Sequence, residues 1–301
     1  MDTLRHTSSE LQTHLGISSV ISSARPQSAP LEMEDLFFIL QIDPNDSLIA
    51  LELARRLESR DRCAEALRVL NAVLAIDYRF ETVHALAQLE YKLENYDSAF
   101  TRLNEALLLA PEASLDLFDL FKTLGNVYVR RGEFDLAEDN YNRAHRINSD
   151  SDALLVNFGT LYVQKSDWDE AAERFREALR LNRTNDKAWI GLAICHRSKS
   201  DVELAWGNLE AALTYNPINE TALGLAIDWS LQEGRDDHAL ESVRKYLVAG
   251  GWSEKMSLAF AWLSWRRGNL KLAKFELERL LAVNPSNTKA LELAQQMRIG
   301  A

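Results

Sequence analysis

Turn-forming residues are scarce in this chain: 12 glycines and 6 prolines among 301 residues. Such a composition suits continuous helix joined by short turns and leaves little room for sheet. Cysteine is rarer still. Cys63 and Cys195 stand 132 residues apart and form no CxxC pair, so neither a disulfide framework nor a zinc site is indicated, and a reducing cytoplasm is compatible with both thiols. Buried, inert thiols are the expected state. Positive charge is in deficit. With 34 Lys and Arg against 45 Asp and Glu, the net charge is −11, which argues against a nucleic-acid partner because phosphate binding needs a concentrated positive surface. Long apolar runs are missing too. No stretch reaches the roughly 18 residues that a membrane-spanning helix needs. In residues 1–30 the apolar stretch is broken by Ser18, Ser19, Ser22 and Ser23, too polar for a signal-peptide core. Sequons at Asn45, Asn182 and Asn219 carry no weight without an export signal.

Periodicity is abundant instead. Gly125, Gly159, Ala193, Ile227 and Ala261 are each 34 residues apart, and so are Ala137, Ala171, Ala205, Ala239 and Ala273. Two columns of mostly small residues sharing one period of that length are the signature of stacked helical hairpins. Hydrophobic residues make up 47% of the chain, enough to bury a continuous core between neighbouring units.

Four segments are expected: a disordered tail over 1–31, a short amphipathic helix within 32–46, hairpins over 47–287 and a capping helix over 288–301. The hairpins divide at 47–79, 80–117, 118–151, 152–185, 186–219, 220–253 and 254–287. In each, the first helix ends at a polar or Gly-containing turn such as Arg131-Gly132-Glu133, Lys165-Ser166-Asp167, Glu233-Gly234-Arg235 or Arg267-Gly268-Asn269. Gly or Asn tolerates the left-handed backbone that ends a helix. An aromatic or aliphatic residue follows, as at Tyr96, Phe134, Trp168 and Leu270. The spacing slips between Ala87 and Gly125, 38 residues apart. The extra four residues, about one helical turn, predict a longer first helix in the third hairpin.

These residues resemble the tetratricopeptide repeat family, whose pattern runs Trp, Leu-Gly, Tyr, then Ala, Phe and Pro. The fourth hairpin carries Leu155, Phe158, Gly159, Tyr162, Ala171, Phe175 and Ala178 in that order; the fifth carries Trp189, Leu192, Ala193, Ala205, Leu209, Ala212 and Pro217. The match covers about 47–298 and weakens at Ile227 and Tyr246. It implies an all-α fold, an α-solenoid wound as a right-handed superhelix of about seven hairpins, whose first helices line a peptide-binding groove.

By that resemblance the groove carries eight basic residues, Arg55, Lys92, Lys122, Arg130, Lys187, Arg197, Lys255 and Arg266, and four acidic ones, Glu58, Glu81, Asp119 and Asp228. Eight minus four leaves +4 on a chain of −11, which points to an acidic segment as ligand. Lys122, Asn126, Asn157 and Lys187 also stand at the spacing of the carboxylate clamp with which some co-chaperones of this family hold the C-terminus of heat-shock chaperones, although the clamp's arginine is replaced by Gly191. Trp229, Trp252, Trp262 and Trp265 crowd the C-terminal repeats. Trp262 and Trp265, three apart and on one helical face beside Arg266, read either as an apolar anchor or as core.

Enzymatic signals are weak. His84, His145, His196 and His238 fall in different hairpins with no HExxH pair, and there is neither a GxGxxG nor a P-loop. The sequence therefore reads as a non-enzymatic, cytoplasmic adaptor with no cofactor, no metal, no nucleic acid and no membrane insertion. Self-association and regulation of a separate enzyme are the alternatives.

Overall fold

A computed structural model of the chain describes residues 31–110, 117–249 and 252–299. Those residues form sixteen α-helices and no strand. The chain divides into two compact units, Met1–Ser149 and Asp150–Ala301. The tail reading falls on residues outside the described ones, as do residues 111–116 of the insertion.

In the first unit α1 (Met33–Ile42) precedes three hairpins: α2 (Ser47–Ser59) with α3 (Cys63–Leu74), α4 (Phe80–Lys92) with α5 (Tyr96–Leu109), and α6 (Leu117–Arg131) with α7 (Phe134–Ile147). The second holds four more: α8 (Asp152–Gln164) with α9 (Trp168–Leu181), α10 (Asp186–Ser198) with α11 (Val202–Tyr215), α12 (Glu220–Glu233) with α13 (Asp236–Ala249), and α14 (Glu254–Arg266) with α15 (Leu270–Val283). The helix α16 (Thr288–Ile299) then packs on α14 and α15. Each unit is an all-α stack of hairpins, so the fold class is the α-solenoid. The first helix of the third hairpin has 15 residues against 13 in α4 and α8, longer as the spacing predicts.

Helix starts are capped by the side chains that sequence logic assigns to them. Asp46, Ser151, Asn185 and Asn219 each accept from the backbone N–H three residues on. Glu32 and Asp35 form a reciprocal capping box, the Glu32 N–H donating to Asp35 at 2.7 Å. All seven hairpin turns share one geometry. A residue with positive φ ends the first helix, and the next N–H donates back to the carbonyl five residues earlier, as Asp167 does to Tyr162 at 2.9 Å. Gly132, Gly234 and Gly268 fill that position in three turns. Asp61, Glu94, Ser166 and Ser200 fill it in the other four, with φ of 59–66°, so each reversal is a polar or Gly-containing turn, and polar residues as well as glycine take the left-handed position.

The small-residue columns are buried where helices approach most closely. Ala66, Ala99, Ala137, Ala171, Ala205, Ala239 and Ala273, one on each second helix, have no exposed surface. On the first helices Gly125 lies against Tyr141, and both Gly159 and Gly191 lie against Phe175. A Cβ at any of the three would stand 2.3–2.5 Å from the ring, inside van der Waals contact. These rings thus occupy volume that the glycines vacate. Ile227, larger than its column allows, is only partly buried against the second unit's core.

A second device repeats along the second unit. Asn182 and Asn185 both donate to Asp152, at 2.7 and 2.9 Å. Asn216 and Asn219 both donate to Asp186, at 2.5 and 2.8 Å, and Asn284 and Asn287 both donate to Glu254, at 3.0 and 2.9 Å. Each pair reaches back from a loop between hairpins to the start of the preceding first helix, and so ties successive hairpins at one spacing. Burial pushes the Asp152 and Asp186 carboxyls up, but the paired amides and a backbone N–H outweigh it and hold both below the usual range. Asn182 and Asn219, noticed in the sequence only as sequons, are structural members of this ladder.

Candidate functional site

Residues 34 or 35 apart face one another on successive first helices within a unit. Lys92 meets Glu58 at 3.2 Å in the first, and Arg197 meets Gln232 at 3.0 Å in the second. Side chains from neighbouring hairpins therefore form rows, and the chemistry of each row follows from which charges are already spent.

In the first unit Lys122 pairs with Asp119 one turn earlier and lies over the Phe118 ring, 5.0 Å from its centroid. Asn126 is held from behind: the Tyr141 hydroxyl donates to its Oδ1 at 2.7 Å. Arg130, exposed at the end of α6, lies over the Tyr96 ring at 5.6 Å, and the Tyr96 and Tyr91 rings are themselves 5.6 Å apart. Burial pushes the Tyr91 hydroxyl up, opposed by the Arg130 charge and by hydrogen bonding with Arg130 and Asn126. Among the described residues no carboxylate lies within ion-pair distance of Arg130. Its guanidinium is positioned by aromatic stacking.

In the second unit Asn157 is half-buried on α8 and Lys187 is exposed in the first turn of α10. The position where a clamp would carry its arginine is closed, because the Phe175 ring fills the space beyond Gly191. Arg197 is fully engaged: it pairs with Glu233, donates to Gln232 and stacks on Trp229 at 5.1 Å. It lines a 580 Å³ recess with Glu203, Glu233 and Arg235 whose charges cancel in pairs. Arg266 stacks on Trp262 at 4.9 Å and donates to Asp236 at 2.9 Å. Trp262 and Trp265 are both half-buried, packed against a core that includes Ala261, Ala273 and Leu277. Trp229 is buried. A second recess, of 320 Å³, opens between α14 and α16 beside Trp262.

Five of the eight basic groove positions are thus in ion pairs: Lys92, Lys122, Arg197, Lys255 and Arg266. Three of their partners, Glu220, Glu233 and Asp236, sit at the ends of helices and were not among the four acids counted from the sequence. The positive surplus shrinks accordingly, and Arg55, Arg130 and Lys187 are the basic positions without an ion-pair partner among the described residues. The sequence does not single out the tyrosines that frame Arg130: Tyr96 stands there only as the aromatic residue after a turn.

Groups capable of chemistry are dispersed. Among the described residues no three His, Cys, Asp or Glu side chains gather as metal ligands. His84 stacks on Phe80 at 5.2 Å and His238 meets Glu210 at 3.0 Å. Cys63 and Cys195 are free and buried, and burial pushes the Cys195 thiol up to about 11. No helix among the described residues is long and apolar enough to cross a membrane.

Family models described as tetratricopeptide repeat match residues 78–150 and 156–208. None of the curated proteins matches this sequence. Solved structures similar to this chain include a tetratricopeptide repeat protein from Parabacteroides merdae, 14% identical with a TM-score of 0.52 over 83% of this chain and 97% of that one. The C-terminal part of a repeat-containing protein from Cytophaga hutchinsonii is 18% identical, with a TM-score of 0.52 over 81% and 98%. Pseudomonas aeruginosa PilF is 19% identical, with a TM-score of 0.51 over 72% and 97%. At such identities the likeness speaks of the fold alone. The hairpin geometry and the family matches agree: the chain carries tetratricopeptide repeats, whose general role is protein–protein interaction.

Proposed function

We propose that this protein is a non-enzymatic adaptor whose first helices hold a partly acidic segment of a partner protein, with Arg130 as the receptor for one of its carboxylates. One observation carries the reading. Arg130 is an exposed guanidinium with no ion-pair partner among the described residues, fixed over Tyr96 beside Tyr91. Arginine recognises a carboxylate through two parallel N–H donors, and stacking limits the side-chain freedom lost on binding. A cation already paired, such as Lys122 or Arg197, would first have to surrender its own carboxylate. Lys187, exposed and without an ion pair, is the corresponding receptor in the second unit. The pairing of Lys92, Lys122, Arg197 and Arg266 within the chain leaves fewer cations ready to meet an acidic segment.

The test is an array of twelve-residue peptides of varied charge probed with the protein and with its Arg130→Glu variant. The wild-type protein should enrich acidic peptides, and the variant should lose them at an unchanged melting temperature. An identical binding profile for the two proteins would overturn the assignment of Arg130.

A further inference from the structure

We infer that the recess between α14 and α16 is an anchoring subsite for a large apolar side chain of a partner polypeptide whose flanking residues are acidic. The inference rests on reading the chain as a partner-binding protein and concerns a site in the second unit. The apolar lining of the recess is Leu258, Ala259, Trp262 and Leu293. At 320 Å³ it lies at the small end of binding cavities, sized for one or two side chains rather than for a cofactor. One face of the Trp262 ring is covered by Arg266, while its indole N–H has no acceptor among the described residues. A half-buried indole with a spare donor suits a peptide, which brings an apolar side chain and a backbone carbonyl together.

Charge at the rim sets the flanks. Lys255 and Lys289 stand at the mouth with Glu292 in the lining, and Glu220 reaches Lys255 from beside it. Lys289 has no ion pair among the described residues. Lys255 meets only Glu220, at 3.9 Å with both side chains mostly exposed, a contact that water and salt screen. Acidic residues on either side of the anchor therefore meet available ammonium groups.

The preceding first helix carries a glycine with open space around it. Gly224 on α12 stands 34 residues before Leu258, in the register that brings successive first helices face to face, and a Cβ there meets nothing within 4 Å. Glycine inside a helix is less favourable than alanine by roughly 1 kcal/mol. No packing demand accounts for it, unlike Gly159 and Gly191 beneath Phe175. Its missing side chain leaves open space at that position on α12.

The test uses three fluorescein-labelled hexapeptides read by anisotropy against the full chain. One carries Leu-Phe between two acidic residues on each side, one replaces Leu-Phe with Ser-Ser, and one replaces the acids with lysines. The first should bind at least tenfold more tightly than the other two. Lys255→Glu with Lys289→Glu should abolish the preference for acidic flanks; Trp262→Ala and Gly224→Leu should each weaken the first peptide by tenfold or more. The lysine and glycine variants alter exposed or open positions, so they remain informative if Trp262→Ala fails to fold. Equal binding of the three peptides, no binding of the first, or indifference to the lysine reversal would overturn the subsite. If the first peptide fails while Arg130-dependent acidic peptides still bind on the array, the subsite alone falls. A blank array as well would remove the partner-binding reading with it.

Discussion

The ring of Phe175 stands where a side chain at Gly191 would have to go: a Cβ built on Gly191 lies 2.3 Å from Phe175 Cζ. The two residues belong to adjacent helices, α9 and α10, and the same ring also lies against Gly159. Phe175 is therefore a wedge between two first helices, and both glycines are required by its bulk. The position that a carboxylate clamp would give to arginine is thereby occupied. Gly191→Ala should destabilise the protein by about 1–3 kcal/mol, the usual cost of overpacking, and Phe175→Leu in the same chain should return part of it. Urea denaturation of the two single variants and the double variant measures the coupling; additive losses would show that the ring does not set the constraint.

Four hairpin turns hold a residue other than glycine in the left-handed region. Ser166 and Ser200, at φ of 59° and 66°, are exposed. The left-handed conformation costs an L-residue about 1–2 kcal/mol, partly offset by the extra freedom glycine brings to the unfolded chain. Ser166→Gly and Ser200→Gly should each raise stability by roughly 0.5–1 kcal/mol, while Gly132→Ala should lower it by a similar amount. The urea midpoint should move with an unchanged slope.

The asparagine ladder gives stability an acid limb. Asp152 and Asp186 have folded pKa values below their unfolded ones. Their contribution is complete above the unfolded value, about 3.9, and disappears as pH falls through the lower folded value. Between pH 6 and 8 these groups should therefore add no slope, and below about pH 4 stability should fall. Replacing Asn182, Asn185, Asn216 and Asn219 with alanine should flatten that limb. Thermal melts at pH 7, 5, 4 and 3 would record it; an acid limb as steep in the variant as in the natural chain would assign it to other carboxylates.

Arg130 and Arg197 are alike in the sequence and opposite in environment. Arg197 is ion-paired, hydrogen-bonded and stacked within its own unit, so Arg197→Ala should cost roughly 1–2 kcal/mol of stability, above the level of an exposed pair because its side chain is mostly covered. Arg130→Ala should leave the melting temperature within a degree or two and act on acidic peptides. Calorimetric scans beside the peptide array separate the two roles.

Cys195 is buried, with its thiol pushed up to about 11. The thiolate is the reactive form, so at pH 8 its modification by iodoacetamide should be far slower in the folded chain than in urea. Mass spectrometry of timed samples would follow it, and rapid labelling without denaturant would place the thiol at the surface.

Local spacing carried the fold. The 34-residue columns mark where two helices must touch, and touching excludes large side chains whatever the rest of the protein does, so Ala137, Ala171 and Gly159 are recognisable from their neighbours in the chain alone. Turn chemistry was less legible. Ser166 and Ser200 adopt a backbone that glycine prefers because the hairpin around them holds it in place, and a single residue's propensity does not register that support. The asparagine pairs were overlooked because each acts on a carboxylate about 30 residues away.

The sequence by itself determined the architecture: among the described residues the seven helical hairpins follow from periodic small residues, caps and turns, all short-range properties. Tertiary structure alone decided which charges are free to meet a partner. Charges act through space, and Glu220, Glu233 and Asp236 reach basic residues on other helices that their places in the chain do not disclose. Arg130 keeps its charge available and Arg197 does not because of the side chains that folding brought beside them.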